Sequence, residues 1–406
     1  MHSIVLIGAG QAGGWAAKTL RDQKFAGRVV LVGEEPHPPY ERPPLSKDVL
    51  LGTRTAESTY LWSATKLSAL DIELMLNCRA ASIDRENRSV QLSNGRSLPY
   101  DRLMIATGSR VRKLGIPGAQ LPRIHYLRNI DDAAAISHCL LPGSRLLVIG
   151  GGWIGLEIAA AARQKNVDVI LLEAADQLCS RALPAQIARS LEEEHQRRSV
   201  RILLNTTVIE FKGERRFEQA ELSNGERIDA DVAVIGVGVI PNSEIARDAG
   251  IATDNGILVD HFGQTSDPSV YGAGDVANQP DWSAGRVRLE SWSNAQNQAI
   301  AVAKAIIGAG SKYQEVPYFW SDQYDLKLQI LGSFSHYDRI IRHDDGSRDA
   351  TTLFLKGNNI AAVVAINRPK DIAVARRVMQ KKASFDAERL SRAENVHEAL
   401  RGSLAS

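Results

Sequence analysis

Two glycine-rich stretches, Gly8-Ala-Gly-Gln-Ala-Gly13 and Gly150-Gly-Gly-Trp-Ile-Gly155, decide the fold of this chain. Each has the spacing Gly-x-Gly-x-x-Gly and follows an apolar run typical of a buried strand, at Ser3–Ile7 and at Arg145–Ile149. Glycines at this spacing allow a tight turn, close approach of a pyrophosphate and packing of the next helix on the sheet. The sequence therefore predicts two βαβ units that each bind a dinucleotide.

An acidic residue follows the next predicted strand in both copies. Glu34 comes after Val29–Val32, and Glu173 comes after Val167–Leu172. A carboxylate at this position accepts hydrogen bonds from ribose hydroxyls and, at the second site, repels the extra phosphate of NADPH, which favours NADH. A glycine turn that binds nothing is the alternative for either motif alone, whereas two motifs with matching acids favour two bound dinucleotides.

The order of segments along the chain predicts an insertion. After an exit at Ile240-Pro-Asn242, the stretch Gly256–Asp275 returns to the first unit and ends in the late motif Gly272-Ala-Gly-Asp275. The predicted domains are a first dinucleotide-binding domain in two parts, 1–111 and 242–316, a second one at 112–241, and a C-terminal domain at 317–406.

The C-terminal domain has a mixed pattern. Apolar runs near 326–331, 351–355 and 360–366 are typical of strands, and residues 371–382 have helical periodicity. The predicted fold class is therefore α/β, with two Rossmann-like domains followed by a C-terminal α+β domain.

Composition narrows the function classes. With 406 residues and 44% hydrophobic content the chain can bury a large core, and its net charge of +2 argues against a nucleic-acid partner. The first predicted strand begins too early for a signal peptide, and no apolar run is long enough for a membrane span, so we predict a cytoplasmic protein. Cys78, Cys139 and Cys179 are scattered singly, so their spacing predicts neither a dithiol centre nor a metal site.

Further motifs extend the pattern of the two glycine stretches. They are Ala106-Thr-Gly108, Gly236-Val-Gly238, Gly272-Ala-Gly-Asp275, Pro39-Tyr-Glu-Arg-Pro-Pro-Leu-Ser-Lys47, Arg288-Leu-Glu-Ser-Trp292 and Phe319-Trp-Ser-Asp-Gln323. Over its whole length the chain resembles the glutathione-reductase-like flavoproteins and, among them, the NADH-dependent ferredoxin reductases of bacterial oxygenase systems. Disulfide reductases have a cysteine pair where this chain has Pro43-Pro-Leu-Ser46, so the resemblance excludes dithiol chemistry.

The resemblance implies FAD in the first site and NADH in the second. The implied FAD residues are Gly8, Gly10, Ala12 and Gly13 at the pyrophosphate, Glu34 at the adenosine ribose, Asp275 at the ribityl chain, and Arg42, Lys47, Ala80, Thr107, Gly108, Arg128 and Trp292 elsewhere. The implied NAD residues are Gly150, Gly152, Gly155, Glu157, Glu173 and Gly238. Ala80 and Trp292 replace valines found in one family member, and contacts made through the backbone would survive both changes.

The resemblance also implies three catalytic residues, Lys47, Glu157 and Trp320. A cation at Lys47 beside the flavin would stabilise the electron-rich reduced ring, and Glu157 is the family-matched partner that a buried cation needs. Trp320 would lie beside the nicotinamide and the flavin and face the docking surface. Without the resemblance, Lys47 and Glu157 are also explained as a surface lysine and a solvated helix residue, and a core position is favoured for Trp320.

The implied function is that of an FAD-dependent NADH:ferredoxin reductase. FAD would accept a hydride from NADH and pass single electrons to a [2Fe-2S] ferredoxin that feeds a terminal oxygenase, foremost a Rieske aromatic-ring dioxygenase of aromatic hydrocarbon catabolism. Opposite charges accelerate encounter, so basic residues of the C-terminal domain could receive an acidic ferredoxin. They are Arg339, Arg342, Arg368, Lys370, Arg376 and Arg377, each of which is also explained as an ordinary solvated residue.

Other functions stay open at this point. The acceptor could be the ferredoxin of a cytochrome P450 or a rubredoxin. A membrane quinone would call for an amphipathic anchor, and residues 388–406 show no clear apolar face. A redox-sensing interaction protein of the apoptosis-inducing-factor type shares the fold and would combine slow NADH turnover with a long-lived reduced complex.

Overall fold

The computed structural model describes residues 2–281, 285–344, 348–383, 385, 387–393, 395–402 and 404. The chain folds into two compact units. The first unit contains residues 1–41, 57–110 and 240–319, and the second contains residues 42–56, 111–239 and 320–406. The finer limits of the domains expected from the sequence stay a prediction.

The first unit is built on a five-stranded parallel sheet. Its strand order is Val270–Gly272, Arg102–Ile105, Ser3–Ile7, Arg28–Val32 and Ile72–Met75. The central strands are almost continuously apolar and buried, because both faces of this sheet are covered. The helices Gln11–Asp22 and Trp292–Ile306 pack against each other and share a core cluster with one face, where alanines allow close approach.

The other face of this sheet shares a core with a three-stranded antiparallel sheet of Ala80–Asp84, Ser89–Leu92 and Ser97–Pro99. The remaining strands of the first unit form a small sheet, Ile257–Leu258, Ala277–Pro280 and Arg286–Val287. Its remaining helical segments are Glu57–Thr59, Ala64–Ala69, Glu244–Asp248 and Gly274–Val276.

The second unit repeats this plan. Its parallel sheet has the order Val200–Leu203, Asp168–Leu172, Arg145–Ile149, Val232–Ile235 and Ile124–Tyr126. A three-stranded antiparallel sheet of Val208–Lys212, Gln219–Leu222 and Arg227–Asp229 shares its core. Before the C-terminal region, its helical segments are Pro43–Ser46, Asp48–Leu51, Ile130–Cys139, Trp153–Gln164 and Ala185–Arg197. The short strands Ser109–Val111 and Val239–Pro241 pair where the chain passes from one unit to the other.

The C-terminal region of the chain forms a separate five-stranded sheet. Its order is Tyr318–Gln323, Leu326–Gly332, Asn359–Ile366, Ala350–Lys356 and Arg339–Asp344. The helix Pro369–Gln380 packs on this sheet, and Val396–Gly402 packs in turn on that helix, following the short helix Ala387–Ser391. Val396 and Leu400 are buried, so the apolar side chains of this last helix face the protein.

The predicted fold class is confirmed. Both glycine stretches connect a parallel strand to a helix, and the C-terminal strands and helix lie where their patterns placed them. In the C-terminal region, two strands, Tyr318–Gln323 and Arg339–Asp344, were not predicted. Among the described residues, none of the helices is both long enough and apolar enough to cross a membrane.

Candidate functional site

The first glycine turn is closed by backbone contacts that leave no room for side chains. Gly8 has φ +111°, and a Cβ there would lie 2.2 Å from the Ala106 carbonyl oxygen. A Cβ on Gly13 would lie 1.9 Å from the Gly8 carbonyl oxygen. Gly10 is different, because a Cβ there would meet no described atom within 4 Å. The turn is therefore tight at Gly8 and Gly13 and open at Gly10.

The second glycine turn has the same geometry. Gly150 has φ +108°, and a Cβ there would lie 2.4 Å from the Gly236 carbonyl oxygen. A Cβ on Gly155 would lie 2.0 Å from the Gly150 carbonyl oxygen, whereas a Cβ on Gly152 would meet no described atom within 4 Å. Both turns thus present one glycine with open space in front of it.

The helices that follow the two turns start without a cap. Among the described residues, no side chain caps the helix start at Gly10 or at Gly152, and neither first turn contains an acidic residue. The first N–H groups of a helix have no intrahelical partner and carry partial positive charge. Both open turns therefore suit a pyrophosphate.

Asp275 lies close to the first turn. It belongs to the short helical segment Gly274–Val276, and a Cβ on Gly274 would lie 3.0 Å from the Cβ of Ala12. The structure thus brings the late Gly-Asp motif to the start of the first helix. The Gly274 N–H donates to the buried side chain of Gln298 at 2.8 Å, a support that the sequence did not reveal.

The other implied FAD residues of the first unit differ in their surroundings. Glu34 is exposed, and Ala80 is buried in the core. Trp292 begins a helix, and its Nε1 lies 3.0 Å from the side-chain amide of Gln11. The Thr107 hydroxyl donates to the Asn242 carbonyl oxygen at 2.7 Å.

Gly108 also contacts Asn242. Its carbonyl oxygen accepts from the Asn242 N–H at 2.9 Å, and Gly108 has φ +63°. Thr107 and Gly108 therefore hold the returning chain in addition to any contact with a cofactor.

Arg42 and Arg128 belong to the second unit, where Arg42 Nη1 donates to the Arg128 carbonyl oxygen at 2.5 Å.

Glu173 binds the second glycine turn directly. One carboxylate oxygen accepts from the Gly151 N–H at 2.7 Å, and the other accepts from the Ala175 N–H at 2.8 Å. These two hydrogen bonds fix a negative charge beside the turn. The sequence placed this acid correctly at the strand end but gave no signal for its capture by the backbone.

Cys179 borders the same turn, and Gly238 lies beside Arg181. Cys179 Sγ donates to the Gly151 carbonyl oxygen at 3.6 Å, and burial, with smaller effects from Glu173 and Glu157, raises the pKa of this thiol. Gly238 has φ +101°, and a Cβ there would lie 3.2 Å from Arg181 Nη2.

The three cysteines of the chain are free thiols. No cluster of three or more potential metal ligands occurs among the described residues.

Lys47 and Glu157 form a buried ion pair within the second unit. Lys47 Nζ lies 2.8 Å from Glu157 Oε2, and their side chains are 14% and 4% exposed. The Ser46 hydroxyl donates to the same oxygen at 2.5 Å, and the Ser321 hydroxyl donates to Glu157 Oε1 at 2.6 Å. The expected partnership of Lys47 with Glu157 is confirmed as a contact, and its catalytic role stays a prediction.

Trp320 lies in the strand Tyr318–Gln323, which we call the Trp320 strand, and is partly exposed. Side chains alternate between the two faces of a strand. Ser321 and Gln323 are buried on one face, so Trp320 lies on the other. This observation excludes a deeply buried core position for Trp320 but does not test its contact with a nicotinamide.

The basic residues expected at the docking surface lie in two elements and the residues beside them. Arg339 and Arg342 are exposed on the end strand of the C-terminal sheet, and Arg342 pairs with Asp344 at 2.9 Å. The remaining four lie just before or within the helix Pro369–Gln380; Lys370 and Arg377 are exposed, and Arg368 and Arg376 are half-buried. The role of these residues in docking stays a prediction.

Comparison with known proteins matches the whole chain to reductases. The family described as pyridine nucleotide-disulphide oxidoreductase matches residues 2–299, and the family described as reductase C-terminal matches residues 318–400. The chain is 39% identical over 392 residues to the ferredoxin–NAD(+) reductase component of the p-cumate 2,3-dioxygenase system of Pseudomonas putida, covering 96% of each chain.

Two other matches have comparable coverage. Rhodocoxin reductase of Rhodococcus erythropolis is 39% identical over 380 residues, covering 93% of this chain and 89% of the relative. Among solved structures, the covalent putidaredoxin reductase–putidaredoxin complex matches with a TM-score of 0.96 and 34% identity, covering 100% of this chain and 99% of the other.

Proposed function

Because this chain belongs to the pyridine nucleotide-disulphide oxidoreductase family, we propose that it is an FAD-dependent NADH:ferredoxin oxidoreductase. The observation that carries the proposal is the pair of open glycine turns with uncapped helices, in a chain that aligns over 96% of its length with a ferredoxin–NAD(+) reductase component. One turn serves the flavin dinucleotide and the other serves the nicotinamide dinucleotide.

The residues of the first turn fit FAD. Space is open at Gly10, and the start of the following helix offers N–H groups that have no intrahelical partner. Asp275 comes directly after Gly274, which lies next to Ala12. We assign Gly8, Gly10, Ala12, Gly13, Glu34 and Asp275 to holding FAD, with Arg42, Lys47, Ala80, Thr107, Gly108, Arg128 and Trp292 as further contacts. Bound FAD supplies the conversion from two-electron oxidation of NADH to delivery of single electrons.

The second turn is assigned to NADH. Gly150, Gly152, Gly155 and Gly238 shape the turn and its surroundings, and the fixed carboxylate of Glu173 disfavours a 2′-phosphate. Glu173 thus selects the nucleotide.

The ammonium group of Lys47 carries a positive charge, which the carboxylate of Glu157 balances. Burying a cation without a partner is costly, and the ion pair with two serine donors lowers that cost. In the proposed function, Lys47 stabilises the reduced flavin and Glu157 holds Lys47 in place.

The proposed electron acceptor is a [2Fe-2S] ferredoxin that feeds a terminal oxygenase of the Rieske dioxygenase type. This assignment rests on the names of relatives, which are reductase components of dioxygenase systems for p-cumate, anthranilate and benzene. A ferredoxin of a cytochrome P450 system is the second candidate, favoured by the likeness to the solved ferredoxin reductase for the CYP199A2 system from Rhodopseudomonas palustris. We propose that Trp320 and the basic residues of the C-terminal region face this partner, and that the protein works in the cytoplasm, where NADH is supplied.

Anaerobic titration of the purified protein tests the proposal. NADH should bleach the bound flavin, and a [2Fe-2S] ferredoxin added afterwards should restore the oxidised spectrum. Release of the flavin followed by mass analysis should identify one equivalent of FAD. Recovery of FMN, or of a well-folded protein without flavin, would refute the assignment of the first turn. Slow NADH turnover with a long-lived reduced complex, and no electron transfer to any ferredoxin, would instead favour a redox-sensing interaction protein.

A further inference from the structure

A line of buried polar side chains continues from Glu157 into the protein, and the proposed function uses only its first member, Ser321. Ser321 Oγ lies 2.6 Å from Glu157 Oε1, and Gln323 Nε2 lies 3.0 Å from Ser321 Oγ. His195 Nε2 lies 2.8 Å from Gln323 Oε1, and the Tyr324 hydroxyl lies 3.2 Å from His195 Nδ1. Ser321, Gln323 and His195 are at most 2% exposed.

The hydrogen bonds along this line all run in one direction. Gln323 Oε1 can only accept, so His195 Nε2 carries the proton and Nδ1 accepts from Tyr324. Burial lowers the pKa of His195, which keeps the ring neutral as this tautomer requires. Gln323 then donates to Ser321, and Ser321 donates to Glu157. Every donor therefore points toward the carboxylate.

Charged groups surround the far end of the line. Glu194 is 2% exposed and is paired with Arg198 and Arg348, which both also contact Asp325. Arg198 lies over the ring of Tyr324, 4.9 Å from its centroid. These ion pairs fix the end of the line at Tyr324, so the end at Glu157 can hold a defined position.

We propose that Ser321, Gln323 and His195 form a hydrogen-bond relay that positions Glu157 and, through it, Lys47. The three are positioning residues. Because Ser321 and Trp320 are neighbours on opposite faces of the same strand, the relay ties the position of Lys47 to that of Trp320. The inference rests on the proposed function, since Lys47 has its catalytic role only there.

Chemical labelling of Lys47 tests the relay independently of catalysis. The holoprotein is treated briefly with acetic anhydride, and mass spectrometry compares acetylation of Lys47 with that of the exposed Lys327. Ser321→Ala removes one of the donors that fix Glu157, so labelling of Lys47 should rise about threefold to tenfold. The limiting rate of flavin reduction at saturating NADH should fall about tenfold, with the NADH concentration at half-maximal rate unchanged.

Thr351 provides a matched control. Its buried hydroxyl donates to the buried carboxylate of Asp371 at 2.6 Å in the same unit, outside the relay. Thr351→Val should lower the melting temperature as Ser321→Ala does, while labelling of Lys47 and flavin reduction stay at wild-type values. Gln323→Leu, which keeps the Ser321 hydroxyl but breaks the line behind it, should give a smaller rise in labelling than Ser321→Ala.

Two results would overturn the relay. One is wild-type labelling of Lys47 in Ser321→Ala, and the other is an equal rise in Thr351→Val. If Ser321→Ala fails to fold, Gln323→Leu alone decides, because unchanged labelling there contradicts the relay and increased labelling supports it. Failure of the proposed function is a separate result, seen as a wild-type protein that NADH cannot reduce.

Discussion

Replacing Glu173 with Gln should reduce the preference of this enzyme for NADH over NADPH. The carboxylate is fixed by the N–H groups of Gly151 and Ala175 at 2.7 and 2.8 Å, so its negative charge cannot swing away from an incoming phosphate. Gln has nearly the same shape and can still accept from the Gly151 N–H, but it lacks the charge, and its NH2 group faces the Ala175 N–H without accepting from it. The substitution therefore separates electrostatic repulsion from loss of the turn.

The magnitude follows from the position of the charge. Two like unit charges about 4 Å apart repel by about 4 kcal/mol at an effective dielectric constant of about 20. Glu173 is partly exposed, so solvent and salt reduce this to about 2 to 3 kcal/mol. Since about 1.4 kcal/mol corresponds to a factor of ten, the wild type should prefer NADH about a hundredfold, and Glu173→Gln should lower that to about tenfold or less.

The assay is the ratio of kcat/KM for NADH and NADPH in ferredoxin reduction. Asp176→Asn is the control, because it removes an exposed negative charge three residues along the same loop and should leave the ratio almost unchanged. Glu173→Ala should additionally lower kcat/KM for NADH, since two backbone N–H groups lose their acceptor. A wild-type enzyme that uses both nucleotides equally well would refute this reasoning, as would a Glu173→Gln enzyme with an unchanged ratio.

Four further outcomes are expected. Gly10→Ala should leave the melting temperature of the flavin-free protein nearly unchanged, because its Cβ enters open space, but should lower flavin content after purification; normal flavin content would show that the turn holds no pyrophosphate. Trp320→Ala should slow ferredoxin reduction about tenfold in stopped-flow traces with FAD retained, and unchanged rates in both half-reactions would return this residue to a packing role. Lys47→Met should slow flavin reduction by NADH about tenfold or more, because the reduced ring loses its cation and a buried carboxylate loses its partner, whereas an unchanged rate would remove Lys47 from the mechanism. Burial lowers the pKa of His195 from 6.5, so the unfolded chain binds the proton more tightly and the stability of the protein should fall as pH drops below about 6.5. His195→Gln should weaken this dependence of the melting temperature on pH between about pH 5 and 7, and an unchanged dependence would contradict the assignment.

The parts of the fold that are specified by residues adjacent in the sequence were predictable. The strand Arg145–Ile149 has the predicted bounds, and the predicted helix follows the glycine turn at Trp153–Gln164. Both follow from local signals, namely a continuous apolar run and a glycine turn. The same reasoning explains why the Lys47–Glu157 pair required a family resemblance, since these residues are far apart in the chain.

Other features had no readable local signal. The Trp320 strand and Arg339–Asp344 mix aromatic, charged and apolar residues without clear alternation, because they lie at the two ends of their sheet and are only partly covered. His195 looked like an ordinary helix residue, because its partner Gln323 lies 128 positions away. The capture of Glu173 by two N–H groups depends on loop conformation, which residue type alone does not specify.

The end strand of the C-terminal sheet, Arg339–Asp344, has a practical consequence for any search for the ferredoxin surface. A strand at the end of a sheet has unpaired backbone groups that can join a second molecule, and charged side chains protect against such aggregation. Arg339 and Arg342 flank Ile340 and Ile341, of which Ile340 is 40% exposed. Alanine substitutions of these two arginines would therefore not distinguish loss of docking from aggregation of the protein. Arg→Glu substitutions keep the edge strand charged and still repel an acidic partner.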